Sequence, residues 1–136
     1  MKAVDTNVLA RFFVDDPDDA QAAKQRPAAI AAMTQPVFVA MTVLLEFEWV
    51  LRGFYLLKPP QVARVLRALA GIEHVTLENR EQALRALDAF ENAALDFADA
   101  LHVASSSRCQ ALLTFDRRLS KRSASQLWAP TVELLK

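Results

Sequence analysis

Glycine occurs only twice in the 136 residues, at Gly53 and Gly71, and no Asn-Gly or similar pair offers the turn on which tight β-hairpins are built. Short β-rich runs instead alternate with helix-length segments. Val37-Phe38-Val39-Ala40 precedes an apolar-periodic stretch over 42–54, His74-Val75-Thr76-Leu77 precedes an amphipathic stretch over 80–92, and Ala111-Leu112-Leu113-Thr114 follows a helical stretch over 96–107. Strands joined through helices run parallel, so this alternation predicts an α/β sandwich with a mainly parallel sheet. With 53% hydrophobic and 24% charged residues, one domain over 1–136 with one core is the expectation.

The remaining elements follow from local chemistry. Residues 2–4 read as a strand ending at Asp5, and 8–13 as a short helix. Asp15-Asp16-Pro17-Asp18-Asp19 is a turn rich in N-cap candidates, leading into an Ala/Gln-rich helix to about Met33 that Pro27 should disturb. Val43, Phe47, Val50, Leu51 and Phe54 form one stripe of the 42–54 helix. Pro59-Pro60 opens the second arm of a helical hairpin, to about Ala70, with Gly71 as its C-cap. A helix-poor stretch over 117–130 leads to a last strand at 131–134.

Several function classes drop out. The single Cys109 cannot form an internal disulfide, no Cys/His cluster has zinc spacing, and the start of the chain reaches Asp5 without a signal-like apolar core, so a cytoplasmic protein is expected. The most apolar stretch, 37–51, contains Glu46 and Glu48 and is too short to span a bilayer, so no membrane role is expected. Sixteen Lys and Arg balance sixteen Asp and Glu. From Arg108 onward, however, six bases face two acids, which makes the C-terminal quarter a basic patch.

In parallel sheets, ligands bind beyond the carboxyl ends of strands, where Asp5 and Asp116 both fall. Asp5-Thr6-Asn7 could equally supply an N-cap for the following helix. Glu46 has Thr42, Val43, Trp49 and Val50 as helical neighbours, a largely apolar face for a carboxylate, with a buried salt bridge as the plain alternative to a functional role. Glu48 stands one turn before Arg52 and reads as a surface ion pair. Asp96 and Asp99 have the spacing of an N-cap and a first-turn acid; capping suffices for Asp96, while Asp99 projects a carboxylate from the helix start. His102, one turn on, reads as packed or hydrogen-bonded. Thr114-Phe115-Asp116 repeats the first design, an acid after a strand, with a turn Asp partnered by Arg117 as its alternative. Four carboxylates gathered together would repel by roughly 1–4 kcal/mol per pair, so such a cluster requires cations or raised pKa values. All-oxygen donors suit Mg²⁺ or Mn²⁺, which activate water and stabilise charge developing on a phosphodiester.

Asp5-Thr6-Asn7, Thr42-Val43-Leu44-Leu45-Glu46 with Trp49-Val50-Leu51, Asp96-Phe97-Ala98-Asp99-Ala100-Leu101-His102 and Leu113-Thr114-Phe115-Asp116 resemble, in order, the motifs of PIN-domain ribonucleases, specifically the VapC-type toxins of toxin–antitoxin pairs. The resemblance implies a PIN-like three-layer α/β/α sandwich, Mg²⁺- or Mn²⁺-dependent cleavage of RNA, a homodimer, and neutralisation by a small antitoxin protein. It puts the metal-binding and catalytic acids at Asp5, Glu46, Asp99 and Asp116, with Asp96 accessory, and has Thr6, Asn7 and Thr114 orient these acids. Arg117, Arg118, Lys121 and Arg122 are then expected to meet RNA phosphates. Phe54, Tyr55, Leu56 and Leu57 add more apolar surface than one helix face can bury, a motive for a partner or dimer contact. Two other readings compete. A haloacid-dehalogenase-type phosphohydrolase would use Asp5 as nucleophile but normally wants a second Asp two residues on, where Asn7 stands. A non-catalytic PIN-like module binding RNA or a partner would be favoured by loss of a quartet acid, and none is lost.

Overall fold

The structure is a computed structural model of residues 1–136, described for all but residues 125 and 127–129. It divides into two compact units, 1–78 and 79–136.

The first unit is built on three parallel strands, β1 (Lys2–Ala3), β2 (Val37–Val39) and β3 (Val75–Leu77), in that spatial order. Lys2 lies opposite Val37, and Val37 opposite Val75. Each parallel step needs a long crossover. α1 (Thr6–Phe13) and α2 (Ala20–Ala32) supply the first; α3 (Met41–Gly53) and α4 (Pro59–Gly71) supply the second. Val37, Val39, Val75 and Leu77 are buried while Thr76 is exposed, so β3 alternates as a one-faced strand does. Leu9, Phe47, Leu51, Val62, Leu66 and Leu69 are fully buried and make the apolar interior of this unit. Asp19 caps α2 by accepting from the N–H groups of Gln21 and Ala22, and Pro27 is carried inside that helix without ending it.

Three details of this unit depart from the sequence reading. The buried stripe of α3 is Leu44, Phe47, Glu48 and Leu51, an i, i+3, i+4, i+7 set, while Phe54 is exposed. The stripe is therefore rotated by about one residue from the expected one, and Glu48 rather than Glu46 is the carboxylate that goes inside. Gly71 is the last residue of α4 and not a left-handed cap: Ile72 terminates the helix in extended geometry, and no glycine has positive φ. The backbone does turn left-handed at Leu56, φ 58°, in the loop between α3 and α4.

The second unit begins with α5 (Arg80–Asn92) and α6 (Phe97–Ser105), packed through Ala83, Ala86, Ala89 and Phe90 on one side and Phe97, Ala100 and Ala104 on the other. Small residues permit close approach of the helices, and the rings of Phe90 and Phe97 meet edge to face at 6.1 Å. β4 (Ala111–Thr114) and β5 (Thr131–Leu134) pair in parallel, Ala111 opposite Thr131, through a crossover that includes α7 (Arg117–Ser123). The stretch expected to be poor in helix thus starts with one. Asp116 nucleates it, and Leu119 and Ser123 bury its inner face. The remainder of that stretch includes 125 and 127–129, which lie outside the described residues. All strand pairing among the described residues is parallel, as the shortage of hairpin turns requires.

Candidate active site

In the first unit, Asp5 stands two residues beyond β1 and caps α1: its Oδ1 accepts from the Val8 N–H at 3.1 Å, and its carbonyl accepts the first helical bond, from Leu9. The capping role is realised, yet it uses one oxygen only. Asp5 is exposed, and Oδ2 has no partner among the described residues. Thr6, the next residue, is buried, and its hydroxyl donates to Oε1 of Glu46 on α3. Asp5 and Glu46 are thereby tied to one locality, through the threonine between them. Asn7 is exposed at the same helix start.

The two glutamates of α3 exchange their expected burial, while the expected Glu48–Arg52 pair is present. Glu46 is exposed, whereas Glu48 is 1% exposed and bonds Arg52 through Nε at 2.9 Å. One helical turn separates Glu48 from Arg52, so the guanidinium reaches both carboxylate oxygens, Nη2 donating to Oε1 at 3.4 Å, while about half of the Arg side chain stays in water. Glu48 holds structure; Glu46 keeps an oxygen toward solvent.

The second unit assembles three acids from two helix starts. Asp116 caps α7, its Oδ1 accepting from the N–H groups of Arg118 (2.9 Å) and Leu119 (3.1 Å), and its own N–H donates to the Thr114 hydroxyl at 2.9 Å. Thr114 therefore fixes the backbone from which Asp116 projects, and Arg117 is not the side-chain partner of this turn. Asp96 occupies the N-cap position of α6 but makes no side-chain capping bond, so the role that seemed to account for it is unfilled. Asp99, half-buried in the first turn of that helix, has its carboxyl pushed up from the usual range by burial, then by the negative charges of Asp96 and Asp116, with His102 partly opposing. His102 is itself exposed, with no side-chain hydrogen bond among the described residues, rather than packed.

Among the described residues, no three of His, Cys, Asp or Glu stand close enough to form a ready metal cage. The donor chemistry nevertheless fits a hard divalent cation: Asp96, Asp99 and Asp116 offer only oxygen, and their mutual repulsion is what a cation relieves. Mg²⁺ keeps several waters and commonly takes one or two carboxylates, so a full protein cage is not required.

Of the four basic residues expected at nucleic acid, Arg117, Arg118 and Lys121 are exposed, with side chains that bond no described residue. Arg122 differs, because its Nη1 donates to the Ala94 carbonyl at 2.6 Å, across from a residue held at φ 55°. Sequence reasoning also missed a polar group in the first unit. Arg11 donates from Nε to Gln25 (3.0 Å) and from Nη1 to the Tyr55 hydroxyl (3.2 Å). The available signal was a lone charge inside the apolar run Val8-Leu9-Ala10-Arg11-Phe12-Phe13. A cleft of about 370 Å³ opens beside it, between α1 and α2.

No helix among the described residues is long and apolar enough to cross a membrane. No curated protein matches the chain. The PIN domain family matches residues 2–124, spanning all the acids above. PIN domains are typically nucleases, bind nucleic acid and generally use divalent metal ions, and the α/β architecture with parallel strands is consistent with their α/β/α sandwich. Matched over nearly its whole length, the chain belongs to the PIN domain family.

Proposed function

We propose that this chain is a single-domain Mg²⁺- or Mn²⁺-dependent endoribonuclease, acting in the cytoplasm as the toxin of a toxin–antitoxin pair, with Asp5, Glu46, Asp99 and Asp116 serving one reaction. The observation that carries the reading is Asp99. A half-buried acid with a raised pKa and two further carboxylates in electrostatic reach is a costly arrangement that a stable fold has no need of. A divalent cation, when bound, supplies the Lewis acidity that phosphodiester hydrolysis needs. Asp99 and Asp116 are its best-supported holders, with Asp96 accessory. Asp5 and Asp116 contribute carboxylates whose orientation is fixed by helix N–H groups, leaving Oδ2 available in each. Thr6 orients Glu46, and Thr114 steadies the backbone of Asp116. Arg117, Arg118 and Lys121 supply positive charge for RNA phosphates, which sets a salt dependence on binding.

The test is cleavage of RNA by the full chain in Mg²⁺ or Mn²⁺ against chelator. Asp5→Asn and Asp116→Asn keep a side-chain oxygen for capping while removing charge. Each is expected to lose more activity than the roughly 10–100-fold typical of losing an outer-shell partner. A folded variant with full metal-dependent cleavage would sink the reading.

The toxin role requires a protein partner. Trp49, Phe54 and Leu56 are 58%, 62% and 77% exposed at the end of α3 and in the loop after it, a set of large apolar side chains suited to coverage by a small antitoxin or by the second copy of a homodimer. Co-expression with the antitoxin is expected to slow hydrogen exchange over 49–57, and unchanged exchange there removes this part of the proposal.

A further inference from the structure

The cleft between α1 and α2 is lined by Asp5, Asn7, Val8 and Arg11 from the first helix start and helix, and by Gln25 and three alanines, Ala28, Ala29 and Ala32, from the second. Arg11 is its unusual member. A half-buried guanidinium ordinarily finds a carboxylate, yet both hydrogen-bond partners of Arg11 are neutral oxygens, and no acid of the described residues pairs with it. Two of its five N–H donors are used to fix its plane, leaving three for an acceptor that brings negative charge. Asp5 lines the same cleft but does not fill that need: the bonds of Arg11 go to Gln25 and Tyr55, and none joins it to the Asp5 carboxylate. The remaining lining is chemically mixed: small alanine side chains make a shallow apolar wall, and the amides of Asn7 and Gln25 combine donors and acceptors. A volume of about 370 Å³ lies in the range of small-molecule sites.

We infer that this cleft is a nucleotide subsite, in which Arg11 receives a phosphate and the alanine wall with the Asn7 and Gln25 amides receives the attached base and sugar. The inference rests on the ribonuclease reading in one respect: it takes the nucleotide to be part of the RNA substrate, seated next to Asp5. Arg11 is then a substrate-positioning residue, set in place by Gln25 and Tyr55.

The experiment is a titration of the isotope-labelled full chain, in chelator, with the four 5′-nucleoside monophosphates, with inorganic phosphate and with a short single-stranded RNA. Side-chain N–H resonances of Arg11, Asn7 and Gln25 report the cleft directly. Saturable shifts at all three are expected with nucleotides and RNA, and weaker binding with phosphate alone. Arg11→Gln should weaken nucleotide binding about 10-fold or more, in line with a lost charge-assisted contact. Since Arg11 also links α1 to α2, a second variant is needed. Ala28→Leu, at an exposed and helix-favourable position, narrows the cleft while leaving Arg11 and its partners intact, and should weaken binding comparably. Equal affinity for phosphate and nucleotides would reduce the site to an anion contact and overturn the subsite. Unchanged affinity in both folded variants, or shifts elsewhere in the chain only, would overturn it too. Cleavage assayed in parallel separates the two proposals: cleavage without binding in the cleft leaves the ribonuclease and removes the subsite, whereas binding in the cleft without cleavage does the reverse.

Discussion

Replacing Asp99 by Asn should stabilise the protein at neutral pH while abolishing its activity. The carboxyl of Asp99 is raised by burial and by Asp96 and Asp116, so its folded pKa exceeds the unfolded value near 3.9. Below the unfolded value the group is protonated in both states and costs nothing. As pH rises through the interval up to the raised folded value, the unfolded chain ionises first, and stability is lost. Above that interval the loss is complete and constant, so it persists at pH 7. Asn has nearly the same shape and no charge, and therefore removes the loss. Half-solvated charge interactions are worth roughly 0.2–1 kcal/mol, which for a chain of this size is a rise in Tm of about 1–4 °C. Calorimetry in chelator at pH 3 and pH 7 would measure it: the variant should melt higher at pH 7, and the gap should close at pH 3. Added Mg²⁺ should stabilise the parent more than the variant, by the mass-action increment of a ligand that binds only the folded state. A variant less stable than its parent at pH 7, or an equal gap at both pH values, would refute the electrostatic account of this acid.

Two further substitutions probe the first unit. Arg52→Met leaves the buried Glu48 without its bonded guanidinium and should cost about 1–2 kcal/mol by urea denaturation, a figure below that for a fully buried pair because half of the Arg side chain is in water. The double change Glu48→Met/Arg52→Met should recover most of that loss; no recovery would mean that packing of the Arg stem, not its charge, is what matters. Leu56→Gly relieves a left-handed backbone at a largely exposed site and should stabilise by up to about 1 kcal/mol, whereas a loss of stability would show that Leu56 contributes more by contact than it costs by strain.

The fold was legible where chain chemistry leaves few choices. Two glycines and no hairpin turns disfavour antiparallel meanders, and every strand pair among the described residues is parallel. Element positions also followed, since 80–92 and 131–134 carry their own periodicity and boundaries. What sequence could not fix was rotation about a helix axis. On α3, Val43, Leu44, Phe47, Val50 and Leu51 are all apolar, so two stripes about one residue apart are nearly equivalent by pattern. Tertiary packing chose Leu44, Phe47, Glu48 and Leu51, and an acid was buried because Arg52 could cover it. The burial of Glu48 and exposure of Glu46 follow from that single rotation. The helix over 117–123 was missed for a different reason: its seven residues carry six charged or hydroxyl side chains besides one leucine, so its stability comes from the Asp116 cap and the burial of Leu119, not from any visible stripe.

For Asp5 and Asp116, sequence posed a choice between cap and functional acid that geometry dissolves. An N-cap carboxylate accepts backbone N–H groups through one oxygen, and in both residues that oxygen is Oδ1. The second oxygen is left free and rigidly aimed, which is what a ligand or a general base needs. Capping is thus the device that positions the acid. Removal of the side chain and removal of the charge must then have separable effects. Asp116→Ala should lose about 1 kcal/mol of stability together with activity, because two helix N–H groups lose their acceptor. Asp116→Asn should keep nearly all the stability and lose the same activity, since Asn caps a helix as well as Asp does but brings no charge. Thermal unfolding and RNA cleavage on the same three proteins decide it: if Asp116→Asn cleaved RNA as well as its parent while Asp116→Ala did not, the aspartate would be a cap alone.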